Sequence, residues 1–224
     1  MTAGSRPLPS VSNEEALWAA GRRYVAGVDE VGRGPLAGPV YAAAVILDRD
    51  RLPEWLGEVR DSKELPAPER ERLAAAIRVE ALAYSIGWAS VAEIDSWNIA
   101  VANRIAMGRA LDGLKQRPSY VLIDGPSTIG GPLPQRAIVD GDAICASIAA
   151  ASIVAKVARD AVMCELDRLF PVYGFAFNKG YATRNHLASL EEHGACVYHR
   201  RSWLAVQRRA GLLPLESTAT DAAR

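Results

Sequence analysis

Cysteine is scarce in this 224-residue chain, and the few present exclude two architectures. Cys145, Cys164 and Cys196 are odd in number and far apart, so they suggest neither a disulfide framework nor a zinc site. They fit a reducing cytosol, and a cytoplasmic protein is expected. Long apolar runs are also missing. No stretch reaches about 18 residues, so no membrane span is expected. Residues 1–13 are polar and proline-containing, without the basic and apolar regions of a secretory signal. Net charge is absent, because 26 Lys/Arg balance 26 Asp/Glu. That balance alone makes no case for nucleic acid. Histidine is rare as well: His186, His193 and His199 lack zinc-site spacing, and no Ser–His or Cys–His nucleophile pair is evident.

What is present is a half-hydrophobic chain of one-domain size. Its charge is unevenly distributed. Residues 156–209 hold nine Lys/Arg against five Asp/Glu, so the rest of the chain is correspondingly acidic. Such asymmetry allows a basic face beside an acidic pocket, although an ordinary solvated surface explains it equally well.

Strands are expected at 24–28, 40–47, 81–88, 120–123 and 137–139. Helices are expected at 14–20, 66–80, 98–114, 142–169 and 183–192. Ser90 and Glu93 have the form of a capping box that starts a further short helix. Asp95 and Asn98 then stabilise the turn between two helices. An early meander followed by strand–helix alternation indicates a mixed α/β sheet. Residues 1–21 read as a flexible lead-in carrying the first short helix. Residues 22–213 read as the catalytic domain, and 214–224 as a disordered tail.

The most informative residues are Asp29 and Glu30, where an apolar strand meets the glycine-rich run Val31-Gly32-Arg33-Gly34-Pro35-Leu36-Ala37-Gly38-Pro39. Adjacent strand residues point apart, so a turn beginning at Glu30 is expected to let both acids converge. Two carboxylates about 4 Å apart repel by roughly 4 kcal/mol at an effective dielectric of 20. A hard divalent cation with oxygen ligands removes that penalty. Asp124 ends a second apolar strand, and Asp142 precedes an apolar helix. Each acid has a plainer reading: a salt-bridged strand end for Asp29 and Glu30, a turn residue before Gly125 for Asp124, an N-cap for Asp142. Taken together, four acids at strand ends match two-metal phosphoryl chemistry, in which carboxylates hold cations about 3.5–4 Å apart. The run Gly32-Arg33-Gly34-Pro35-Leu36-Ala37 formally matches a dinucleotide fingerprint. That motif needs a helix to start in the loop, and Pro35, Pro39 and a following strand argue against one.

Further segments extend the pattern: Asp61-Ser62-Lys63, Ile94-Asp95-x-x-Asn98-Ile99, Ile123-Asp124-Gly125, Gly141-Asp142, the helix around Ser152, Lys156 and Asp160, Lys179-Gly180-Tyr181-Ala182-Thr183, and His199-Arg200-Arg201-Ser202-Trp203. In order and spacing the chain resembles bacterial ribonuclease HII, the type 2 ribonuclease H family, over about residues 24–203. The resemblance implies an RNase H-like mixed five-stranded sheet flanked by helices, with a C-terminal helical extension. It implies cleavage of the RNA strand of RNA–DNA hybrids and incision 5′ of single ribonucleotides in duplex DNA, leaving 3′-OH and 5′-phosphate ends. The expected protein is a monomer that uses two Mg²⁺ or Mn²⁺ ions.

Carried over by position, Asp29, Glu30, Asp124 and Asp142 bind metal. Gly32, Arg33 and Gly34 sense the ribose 2′-OH, Lys63 holds a phosphate, and Tyr181 stacks on the following deoxyribose. Thr183 and Lys156 are weaker phosphate candidates. Read without the resemblance, Lys63 is a solvated lysine, Tyr181 a packed tyrosine, and Lys156 a helical ion pair with Asp160. Glycine is usual where Ala182 stands, so a positive φ there would strain this chain and displace Tyr181. A resolvase-like DNA nuclease and a non-catalytic hybrid-binding protein are the competing readings.

Overall fold

Two apolar layers sandwich one sheet. The structure, a computed structural model, describes residues 8–212. The tail expected to be disordered, 214–224, lies outside the described residues. The sheet has five strands in the order β3-β2-β1-β4-β5. These are β1 (Val25–Val31), β2 (Val40–Ile46), β3 (Ala83–Ala89), β4 (Tyr120–Asp124) and β5 (Gln135–Ile138). β1, β2 and β3 form the expected antiparallel meander. β4 and β5 join it in parallel.

The helices are α1 (Ser12–Ala19), α2 (Ala67–Glu80), α3 (Val91–Asp112), α4 (Ala146–Leu169), α5 (Phe175–Asn178), α6 (Arg184–His193) and α7 (Leu204–Arg209). Along β1, Ala26 and Val28 face a core completed by α3 residues Ala102, Ala106 and Ala110. The alternate residues face α4, where Ala149, Ala150 and Ile153 join Leu73 and Ile77 of α2. Alanine suits both contacts because it lets the helix backbones approach the sheet. Gly27 takes this furthest: a Cβ there would overlap the Ser147 and Ile148 backbone of α4. α5, α6 and α7 make the C-terminal extension, where Leu190 and Val206 close over Leu36 of the glycine-rich loop.

The capping box is present: Ser90 Oγ accepts the Glu93 N–H, and Glu93 Oε2 accepts the Ser90 N–H at 2.8 Å. The two helices expected around Asn98 are both present, joined end to end as α3 across a kink. Asn98 takes a left-handed φ of 68° and caps the second half by accepting from Ala100 and Val101. Asp95 accepts from the Arg201 and Ser202 N–H groups and so ties this kink to the C-terminal extension.

Three expectations need correction. The strand at β1 continues through Glu30 to Val31, so no turn begins at Glu30. The stretch 9–19, read as part of a flexible lead-in, is packed down. Glu14 of α1 is fully buried and accepts from both Ser147 N–H and Ser147 Oγ, at 2.9 and 2.6 Å. The long helix starts at Ala146, with Cys145 as its cap residue, and Asp142 sits before it in a short 3₁₀ turn.

Candidate active site

The C-terminal ends of β1 and β4 lie side by side. Their parallel register pairs Val28 with Ile123, and the next residue of each strand is an acid, Asp29 and Asp124. Parallel pairing thus brings together two acids that are 95 positions apart in sequence. Asp29 and Glu30 obey strand alternation. Asp29 turns toward α4, where the Ser152 hydroxyl lies against it, and Glu30 turns toward α3, where Asn103 lies against it. Convergence comes from the cleft, which wraps the strand end and is reached from both faces.

That cleft has a volume of about 580 Å³, and Asp29, Glu30, Asp124 and Asp142 all line it. The Gly32, Arg33 and Gly34 loop, Lys63, Lys156 and Tyr181 form the rest of its rim. Thr183 is placed elsewhere: its side chain accepts the His186 N–H as the cap of α6, and it lines a neighbouring groove. Asp142 arrives because Asp124 Oδ1 accepts the Gly141 N–H at 2.7 Å, which pins the 3₁₀ turn against β4.

Electrostatic strain marks the cluster. Burial, then the charges of Glu30 and Asp124, hold the Asp29 carboxyl well above the usual carboxylate range. Burial also raises Glu30, partly offset by Arg33, whose Nη1 is 3.3 Å from Glu30 Oε1. Asp142 is pushed up to about 6 by burial, by Asp61 and by Asp124. Mutual repulsion of this kind is relieved by a proton or by a cation. The donor set is all carboxylate oxygen, which suits hard divalent ions. Among the described residues no three such side chains close into a ready-made cage. An open cluster fits Mg²⁺-like ions, which keep several waters and share substrate phosphate oxygens.

The cationic rim is built by local pairing. Burial works against the Lys63 charge, but Asp61, Asp142 and Asp29 outweigh it, and the ammonium lies 3.6 Å from Asp61. Lys156 is ion-paired with Asp160 at 2.7 Å. Tyr181 is half exposed. Ala182 does not have a positive φ, so alanine costs nothing there and the expected displacement of Tyr181 does not arise. The left-handed residues are instead Lys179 and Gly180.

The tyrosine is held from behind by a buried relay. Cys196 N–H donates to His199 Nδ1 at 3.1 Å, so the His199 proton is on Nε2. That proton meets His186 Nε2 at 3.0 Å, which leaves His186 Nδ1 to donate to the Tyr181 carbonyl at 2.8 Å. Both histidines are therefore buried structural groups. Sequence reasoning also missed Asn103 and Arg70 and gave Ser62 no role of its own. Ser62 Oγ is 3.0 Å from Ser152 Oγ, and Arg70 donates to the Ser62 and Leu65 carbonyls at 2.6 and 2.9 Å, which shapes the Lys63 loop. The only signal for Arg70 was its nearness in sequence to the Asp61-Ser62-Lys63 segment; Asn103, on α3 against Glu30, had none.

A mixed sheet whose parallel strand ends carry three carboxylates, joined by a fourth from a neighbouring turn and set beside a cationic rim, defines a metal-dependent phosphodiester hydrolase. Comparison with known proteins narrows the class. The ribonuclease HII family model matches residues 26–206. Ribonuclease HII of Desulfitobacterium hafniense is 50% identical over 201 residues, covering 89% of this chain and 76% of that protein. Ribonuclease HII of Nitrosococcus oceani is 55% identical over 185 residues, covering 82% and 90%. The crystal structure of ribonuclease H2 from Pyrococcus horikoshii superposes with a TM-score of 0.74 at 26% identity, covering 84% of this chain and 98% of that one. The chain belongs to the ribonuclease HII family and is a metal-dependent endoribonuclease.

Proposed function

We propose that this endoribonuclease cleaves the RNA strand of RNA–DNA hybrids and incises duplex DNA 5′ of a single ribonucleotide, leaving 3′-OH and 5′-phosphate ends. The observation that carries this reading is one cleft lined by Asp29, Glu30, Asp124 and Asp142 together with loop 32–34, Lys63 and Tyr181. Mg²⁺ or Mn²⁺ held by the four acids would lower the pKa of the attacking water and stabilise the leaving 3′-oxygen.

The chain's own groups do the rest. Asp29 and Asp124, side by side on β1 and β4, set the point of attack. The loop 32–34 lies within reach of a ribose 2′-OH through its backbone N–H groups. Lys63 attracts a backbone phosphate, and Lys156 contributes a weaker charge because Asp160 holds it. The Tyr181 ring packs on the sugar that follows the ribonucleotide, where a deoxyribose fits and a further ribose does not. Thr183 can still donate its hydroxyl to a phosphate from the cap of α6. The catalytic unit is the domain read from residue 22 onward together with α1, which packs onto it through Glu14. We infer a monomer in the cytoplasm, a reducing compartment that three free cysteines suit. No described helix is long and apolar enough to cross a membrane.

The test is a gel assay on duplex DNA bearing one ribonucleotide, with and without chelator, beside an all-DNA duplex. Metal-dependent incision 5′ of the ribonucleotide, with the all-DNA control intact, is expected. Equal cutting of the all-DNA duplex would sink the assignment and favour a resolvase-like nuclease.

A further inference from the structure

Arg159 of α4 and Arg200, which precedes α7, are both fully buried, and neither is within salt-bridge distance of any described carboxylate. A buried charge without a counter-charge is expensive unless every donor is satisfied. Here the partners are backbone carbonyls, and they come mostly from one loop. Arg200 donates to the carbonyls of Gly32, Arg33 (2.7 Å) and Gly38 (3.1 and 2.9 Å from Nε and Nη2). Arg159 donates to Pro39 (3.0 Å) and Ala37 (3.2 Å), and its Nη1 reaches Lys179 at 3.0 Å. The Arg200 N–H takes the Leu36 carbonyl at 2.9 Å.

The carbonyls of Gly32, Arg33, Ala37, Gly38 and Pro39, at both ends of loop 32–39, are therefore drawn inward onto two guanidiniums. Planar forks with five fixed donors can do this; an ammonium cannot span the same set. The loop backbone is fitted to them: Gly32 has φ +92°, and a Cβ there would overlap the Arg159 guanidinium. In a trans peptide the N–H points opposite the preceding carbonyl, so the inward carbonyls of Gly32 and Arg33 turn the N–H groups of Arg33 and Gly34 away from the arginines, toward the cleft these residues line, and neither N–H has a hydrogen-bond partner among the described residues. Lys179 immediately precedes Gly180 and Tyr181, so Arg159 also ties the tyrosine segment to the same loop. Trp203 packs its ring 5.1 Å from the Arg200 guanidinium and holds it in place.

We propose that Arg159 and Arg200 are positioning residues for 2′-OH recognition: they fix loop 32–39 from beneath so that its N–H groups meet the ribose. This rests on the substrate reading given above. The two guanidiniums act through the loop and do not touch the substrate. Burial and mutual repulsion lower the Arg200 proton affinity to about 9, still well above neutral pH, so the fork stays charged.

The experiment compares Arg200→Lys, Arg159→Lys and Trp203→Leu with wild type, with Arg168→Lys on the exposed face of α4 as control. The substrates are two duplexes that differ only in carrying a ribonucleotide or a 2′-fluoro nucleotide at the cleavage position. In variants melting within about 8 °C of wild type, kcat on the ribonucleotide duplex should fall at least tenfold for the lysine variants and about threefold for Trp203→Leu. KM should stay within threefold. The ribo-to-fluoro rate ratio should fall at least fivefold. A merely structural role would lower activity in step with the folded fraction and leave that ratio at the wild-type value. Wild-type kcat and ratio in any folded variant of the three overturns the proposal. Failure of the substrate reading is distinct, because wild type itself would then ignore the single ribonucleotide.

Discussion

Replacing Asp29 by asparagine should separate stability from catalysis. Asp29 is 4% exposed and carries the strain of Glu30, Asp124 and Asp142. A unit charge repels another about 6 Å away by roughly 3 kcal/mol at an effective dielectric of 20. Without metal, wild type sheds part of that cost by taking up a proton. The net gain on neutralising Asp29 should therefore be smaller, about 1–2 kcal/mol, or roughly 2–8 °C in Tm for a domain of this size. Asparagine fits the same geometry. Its Oδ1 can accept the Glu30 N–H, as Asp29 Oδ1 does at 2.6 Å. Its amide can donate to Ser152, whose hydroxyl is free to donate in turn to Ser62, since either atom of that 3.0 Å pair can be the donor. The assay is thermal melting in chelator and in millimolar Mn²⁺, beside cleavage of a hybrid with a labelled RNA strand. Asp29→Asn should melt at or above wild type in chelator and gain less from Mn²⁺. It should lose about 10³-fold or more in cleavage rate while binding the hybrid at least as tightly. A variant that melts several degrees lower in chelator, or that keeps a tenth of wild-type cleavage, would refute the reasoning.

Three further outcomes are expected. His199 is buried neutral, with its pKa lowered to about 4 by burial and by His186. The unfolded chain therefore binds that proton first, and stability from this residue is lost as pH falls from about 6.5 towards 4. The full effect is on the order of 3 kcal/mol. Because Asp142, raised to about 6, slopes the other way, the readout is the difference between wild type and His199→Asn in urea midpoints from pH 7 to 4.5. A pH-independent difference would contradict the relay. Lys63→Ala should raise KM several-fold at low salt with kcat nearly unchanged, and should reduce the slope of log K against log salt by about 1; an unchanged slope would remove Lys63 from the phosphate contacts. Glu14→Ala should cost about 1–3 kcal/mol by stranding the buried Ser147 N–H and hydroxyl. Glu14→Gln, which keeps an acceptor for them, should melt close to wild type in the same calorimetric comparison.

Periodicity and turn chemistry carry most of the fold. The apolar runs ending at Asp29 and Asp124, the Ser90–Glu93 box and the alanine-rich helix from 146 are local patterns, and local physics suffices to read them. Boundaries failed where tertiary contacts override local pattern. Pairing with Ala42 and Tyr41 of β2 carries β1 past Asp29 despite the glycines that follow. Burial of Glu14 against Ser147 anchors a segment whose composition reads as loose. The histidines could not be read at all, because a relay 13 residues apart in sequence leaves no periodic trace.

The order of residue types along the chain by itself determined the chemistry: carboxylates at the ends of apolar strands, a glycine-rich loop, and a basic C-terminal third. Tertiary structure alone decided how these groups meet. Parallel pairing of β1 with β4 sets Asp29 beside Asp124, and strand alternation sends Asp29 and Glu30 to opposite faces of the sheet, although both line one cleft. It also decided that two arginines with no acidic partner lie under the loop. The physical reason is that hydrophobic periodicity records which face of an element is buried, whereas the identity of the group across a buried contact depends on the packing of elements distant in sequence.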